Sequence, residues 1–206
     1  MPRPPLTRLQ KAVIRLDSDL RALGVKWALV GGFAVMLRAE SRSTRDLDIV
    51  LATVGDSEAD EVIRGLRFRG YRDHPVQPML QRKGGGLFGI RLVSPLLDDL
   101  DQEAEAVVDL LLGCSGVEAE IIAAAEILEV LPNIFIPVAR VGHLIALKVL
   151  AGRVQDQEDV RALLREGEAA EVQLARQALQ LIEERGFDEG KDLLVELGRL
   201  MDSLDE

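Results

Sequence analysis

Asp46 and Asp48 stand two residues apart in Asp46-Leu47-Asp48-Ile49-Val50-Leu51, where charged and apolar side chains alternate before the segment turns wholly apolar. On a β-strand that spacing puts both carboxylates on one face and turns Leu47 and Ile49 to the other. Paired carboxylates suit a hard divalent cation, Mg²⁺ or Mn²⁺. Upstream, Trp27 to Val30 read as a buried strand that runs into Gly31-Gly32 and a short helical stretch. Glycines let a backbone approach a triphosphate closely, and the unpaired N–H groups at a helix start favour anions. A cation site beside a phosphate site points to metal-assisted chemistry at phosphorus.

The spacing alone is common in this aspartate-rich chain. Asp17 and Asp19 have it within a helix-patterned segment, where residues two apart face different ways, and they read as solvated. Asp99 and Asp101 have it within an acidic run, Asp98 to Glu105, that lacks an alternating strand and reads as an exposed loop or helix start. Only Asp46 and Asp48 combine glycines, helix and alternation. A two-metal centre also needs a third carboxylate, and Asp109 offers one in the middle of the apolar run Val107-Val108-Asp109-Leu110-Leu111. A lone acid there is costly to bury unless it is paired or holds a metal. The competing reading is an aspartate at a strand end that meets solvent.

Gly31-Gly32 followed by Arg42-Ser43-Thr44-Arg45-Asp46-Leu47-Asp48-Ile49 resembles the nucleotidyltransferase superfamily shared by polymerase-β-like enzymes, tRNA CCA-adding enzymes and aminoglycoside nucleotidyltransferases. More narrowly it resembles the AbiEii-type bacterial group, many of whose members are toxins of toxin–antitoxin or phage-abortive systems. A second block, Val141 to Leu164, is similar to that group's segment with a helical lysine, an arginine five residues on and an Asp-x-x-Asp-Val helix start. The resemblance implies an α+β nucleotidyltransferase fold with a mixed sheet flanked by helices. It also implies Mg²⁺ or Mn²⁺ at Asp46, Asp48 and Asp109, and an NTP as substrate. The acceptor hydroxyl would lie on a tRNA 3′ end, a protein or a small molecule, and an antitoxin protein is the implied partner. Two departures matter: Gly32 lacks the hydroxyl of the group's Gly-Ser variant, and Gln155 stands where the group usually has lysine.

Within the second block, Lys148 is the lone lysine of an apolar helix. It reads either as a point charge for NTP phosphates or as a snorkelling side chain whose stem covers the core. Arg153 reads as a bidentate phosphate clamp or as a cation at a helix C-terminus. Asp156 suits an N-cap, and Asp159 sits in the first turn, where the resemblance leans toward a role in the nucleotide site. Arg42 and Arg45 flank the carboxylate strand and read as triphosphate or acceptor contacts or as solvated surface. His143 has no second histidine or cysteine at metal-ligand spacing, and the single cysteine, Cys114, excludes an internal disulfide and a cysteine zinc site. Gly84-Gly85-Gly86 has no Walker lysine behind it and reads as a hairpin turn.

The elements that must position these residues alternate helices and short strands, then turn helical from Val141 onward. That order predicts an α+β core over residues 1–140 and a helical C-terminal subdomain over 141–206 that completes a cleft. The chain has 206 residues, of which 48% are apolar, enough for a sizeable core. A net charge of −10 argues against broad nucleic-acid binding, although arginines cluster in the first half. No apolar run is long enough to span a bilayer and the start lacks a signal-peptide core, so a cytoplasmic protein without membrane contact is expected. Besides nucleotidyl transfer, two readings stay open: a noncatalytic nucleotide- or partner-binding protein of the same fold, and an antibiotic-modifying nucleotidyltransferase.

Overall fold

A computed structural model describes residues 7–39, 44–52, 56–81, 87–95, 105–113 and 115–204. Arg42, the Gly84-Gly86 turn, the acidic residues 98–103, Cys114 and the proline-rich start lie outside the described residues.

Helix α1 (Arg8–Ala22) opens with a capping box in which Thr7 and Gln10 satisfy each other's backbone donors. Strand β1 (Trp27–Val30), helix α2 (Gly31–Arg38) and strand β2 (Asp46–Leu51) follow, then α3 (Asp56–Phe68). Strands β3 (Arg72–Asp73), β4 (Met79–Gln81), β5 (Leu87–Val93) and β6 (Val107–Leu111) come next. The chain continues with α4 (Glu118–Ala124), the hairpin β7 (Glu126–Leu131) and β8 (Ile134–Val138), and helices α5 (Val141–Ala151), α6 (Val154–Glu166), α7 (Ala169–Glu184) and α8 (Leu193–Asp202). The architecture is α+β, as expected. The boundary foreseen after residue 140 falls in the short link between β8 and α5.

Among the described residues, eight strands form one mixed sheet in the order β3-β5-β6-β2-β1-β8-β7, with β4 also paired to β5. β2 runs parallel to β6 and antiparallel to β1, while β5 runs antiparallel to β6. Burial along β2 follows the pleat: Leu47 and Ile49 are fully enclosed, while Asp46 and Asp48 are only partly covered. Leu47 and Ile49 belong to a continuous core with Leu16, Leu20, Leu92 and Leu110.

Helix α5 is buried on nearly every side and packs against α2, α6, α7 and α8. Its closeness to α7 depends on Gly142, where a Cβ would lie 2.5 Å from the Glu171 carbonyl oxygen and 2.7 Å from the Leu174 Cβ. At its other end Gly152 adopts φ 68° and stops the helix, as its position after Leu150 and Ala151 predicts. Asp19 departs from expectation. It is buried, and its carboxylate accepts from Arg15 Nε at 2.7 Å and lies 3.6 Å from Arg69 Nε, because the helix turns it onto the loop after α3 rather than toward water.

Candidate active site

Register builds the site. On β1, β2, β6 and β5, the residues Val30, Asp48, Asp109 and Arg91 are successive cross-strand partners, so they form one row on one face of the sheet. Asp46 lies two residues before Asp48, opposite Val107, and shares that face. All three aspartates line a cavity of about 810 Å³, within the range of small-ligand sites. Gly31, Gly32, Arg45, Lys148 and Arg153 line the same cavity, which therefore gathers parts from both ends of the chain.

Gly31 adopts φ +66°, and a Cβ on it would fall 1.9 Å from Asp48 Oδ2. The position admits no side chain because the carboxylate occupies the space. The next residue donates its backbone N–H to Asp48, so the helix start foreseen for a triphosphate already holds an acid of the chain. The Asp48 carboxyl is pushed up to about 6, first by burial and then by the charges of Asp109 and Asp46, against the pull of Lys148 and the Gly32 N–H. This repulsion fits a cation between Asp46 and Asp48, since a bound positive charge would relieve it.

Asp109 has a different neighbour. Its Oδ1 accepts from Arg91 Nε at 2.7 Å and its Oδ2 from Arg91 Nη2 at 2.7 Å, a two-pronged ion pair in which the acid is 4% exposed. Among the described residues no three acids, histidines or cysteines converge into a ready metal cage. Two carboxylates thus fit a divalent cation as they stand, and the third is held by a guanidinium.

Sequence reasoning missed Arg91. Its signal is nevertheless present: a single cation in the apolar strand Leu87 to Val93 mirrors the single acid in Val107 to Leu111. It also missed the loop between α7 and α8, which brings Phe187, Glu189 and Lys191 to the cavity wall.

Lys148 neither snorkels nor stands free. Its ammonium lies 3.0 Å from Asp156 Oδ1 and 2.8 Å from Asp159 Oδ2, with all three side chains nearly closed to solvent. Asp156 is not the N-cap: α6 begins at Val154 with Arg153 as N-cap, and Asp156, the third residue of its first turn, accepts from the Arg153 backbone N–H at 3.2 Å and from its Nε at 2.7 Å. Burial alone would raise the Asp156 pKa, but the hydrogen bonds from Arg153 and the Lys148 charge hold it below the usual carboxylate range. Arg153 nonetheless keeps more than half its side chain exposed toward the cavity. Asp159 is buried beneath Lys148 and is not part of the cavity wall. His143 is buried and its Nδ1 has no hydrogen-bond partner among the described residues.

Comparisons agree with this architecture. The structure resembles an antigenic nucleotidyltransferase-like protein from Paracoccidioides brasiliensis at 18% identity and a TM-score of 0.52, covering 93% of this chain and 92% of the other. It also resembles ANT(2")-Ia, solved in complex with adenylyl-2"-tobramycin, at 13% identity and a TM-score of 0.52, covering 84% of this chain and 98% of that one. At those identities the likeness shows a nucleotidyltransferase fold. No curated protein sequence matches the chain. Residues 16–204 match the family described as nucleotidyl transferase AbiEii toxin, type IV toxin–antitoxin system, and with nearly its whole length so matched the chain belongs to the AbiEii nucleotidyltransferase toxin family.

Proposed function

We propose that the protein transfers a nucleotidyl group from an NTP to an acceptor hydroxyl in the cytoplasm, as the toxin of a toxin–antitoxin pair. The observation that carries this reading is the row of Asp48 and Asp109, with Asp46 beside it, on the floor of a nucleotide-sized cavity bordered by Gly31. Asp46 and Asp48 would hold Mg²⁺ or Mn²⁺, with Asp109 as the third acid. Held there, such a cation would lower the pKa of the attacking hydroxyl and neutralise charge on the leaving pyrophosphate.

The remaining steps belong to the chain. Asp48, flanked by two acids, orients its carboxylate through the Gly32 N–H. Residues 141–206 act as the second half of the cleft. There Lys148, fixed by Asp156 and Asp159, places a positive charge near Asp48, and the exposed guanidinium of Arg153 is available to a phosphate. Arg45, exposed at the cavity rim, is a second contact for the triphosphate or acceptor. Asp159 serves the nucleotide indirectly, by holding Lys148.

Incubation with each labelled NTP and Mg²⁺, with bulk tRNA, cell lysate or an aminoglycoside as acceptor, tests the reading. Label incorporated by the wild type and lost in Asp48→Asn supports it, and the acceptor that takes the label separates toxin from antibiotic-modifying chemistry. The Arg91–Asp109 pair favours a second reading, a noncatalytic nucleotide-binding protein, because it withdraws one of three acids from metal binding. Nucleotide binding without incorporation into any acceptor would select that reading.

A further inference from the structure

Arg91 lies at the centre of β5 between Ile90 and Leu92, both buried, and its register partner on β6 is Asp109. Nε and Nη2 grip the two oxygens of Asp109, yet the side chain remains 23% exposed and lines the cavity. Nη1 reaches toward Gln77 Oε1, 3.5 Å away, on the loop before β4. One side of the guanidinium is therefore committed to the acid and the other faces the place where a ligand would sit. A guanidinium fork matches a carboxylate and a phosphate equally well in geometry. A carboxylate gripped through both oxygens, in turn, keeps one lone pair on each but offers a cation less net negative charge.

We infer that Arg91 is a positioning residue with two alternative partners: Asp109 in the nucleotide-free protein, and a phosphate of the bound nucleotide once Asp109 turns to a cation. This rests on the proposal that Asp46, Asp48 and Asp109 bind the metal. Exchange of partners couples the two ligands. Arg91 holds down the cation affinity of the empty site, and a nucleotide that draws Arg91 away raises it, with the reciprocal effect of cation on nucleotide required by linkage. Nucleotide phosphates also chelate the cation themselves, so the mark of the exchange is the part of the coupling that depends on Arg91, which a purely structural ion pair would not give.

The test is titration of the nucleotide-free protein with Mn²⁺, followed by the electron paramagnetic resonance signal of the free ion, and its repetition with the nonhydrolysable analogue α,β-methylene-ATP. Arg91→Gln removes the charge and the fork; Arg91→Lys keeps the charge without the fork. Without nucleotide, Arg91→Gln should bind Mn²⁺ roughly tenfold more tightly or better, the equivalent of one charge-assisted pair. Arg91→Lys should fall between it and the wild type. The gain should vanish when Asp109→Asn is present as well, and the analogue should strengthen Mn²⁺ binding in the wild type far more than in Arg91→Gln. Mn²⁺ affinity unchanged or weakened in a folded Arg91→Gln protein, judged by circular dichroism, would overturn the inference. If that variant does not fold, Arg91→Lys decides, and an affinity equal to the wild type overturns it. Absence of Mn²⁺ binding by every form removes the metal-site reading itself, a result distinct from wild-type binding that Arg91 does not influence.

Discussion

Burial of its carboxyl end, followed by the charges of Asp109 and Asp46, pushes the Asp48 carboxyl up to about 6, so above that pH its charge opposes folding. Between the ordinary carboxylate value of 3.8 and about 6 the folded chain holds more protons than the unfolded one, so stability falls as pH rises through that interval. Asp48→Asn should therefore abolish turnover and yet stabilise the protein at pH 7.5 by about 1–3 kcal/mol, after discounting for its partial exposure. Urea denaturation at pH 7.5 and pH 4.5 checks this, with the advantage of the variant shrinking at the lower pH. Lys148 behaves in the opposite way. Lys148→Met leaves Asp156 and Asp159 buried without their shared cation, and such a loss typically costs about 3–5 kcal/mol. A fall in thermal midpoint is expected whatever happens to nucleotide affinity. A variant as stable as the wild type would mean the two acids find other partners.

Strand β2 and the start of α2 were readable in advance because the pleat repeats every two residues and the glycines mark a sharp change of direction. Helix α7, Ala169 to Glu184, is likewise legible, since its apolar stripe is long and regular and lies in the stretch after Val141 that reads as helical. β7 was not foreseen: Glu126-Ile127-Leu128-Glu129 mixes charge and apolar residues without clean alternation, and it is pairing with β8 that makes it a strand. The site shows the same division. Individual acids could be picked out by spacing, but which cation each would meet depends on strand order, and sequence alone does not place β5 beside β6. The need for Gly31 likewise emerges only in three dimensions. Gly31→Ala should cost at least about 1 kcal/mol from its positive φ alone, with a further loss as Asp48 is driven from its place. Denaturant melts and Mn²⁺ titration together would register both effects, and a variant that binds Mn²⁺ as the wild type does would show that Asp48 can relax.

A net charge of −10 sets the long-range behaviour of the protein. Several of its arginines are paired nearby: Arg67 with Asp73, Arg69 with Asp19 and Arg72 with Glu105. The protein should therefore pass through a heparin column at about 0.15 M salt, where screening leaves only local charge to act. Retention to higher salt would reveal a basic surface formed outside these pairs. No helix among the described residues is long and apolar enough to cross a membrane. The cavity draws its wall from Val30 at one extreme and Lys191 at the other, with Asp109 and Lys148 between. A chain emerging from the ribosome can form β1, α2 and β2 early, but the cleft lacks part of its wall until synthesis has passed residue 191 and α5 has docked against α7 and α8. If the proposed activity is harmful to the cell that makes the protein, this arrangement would leave each unfinished copy with an incomplete site during translation.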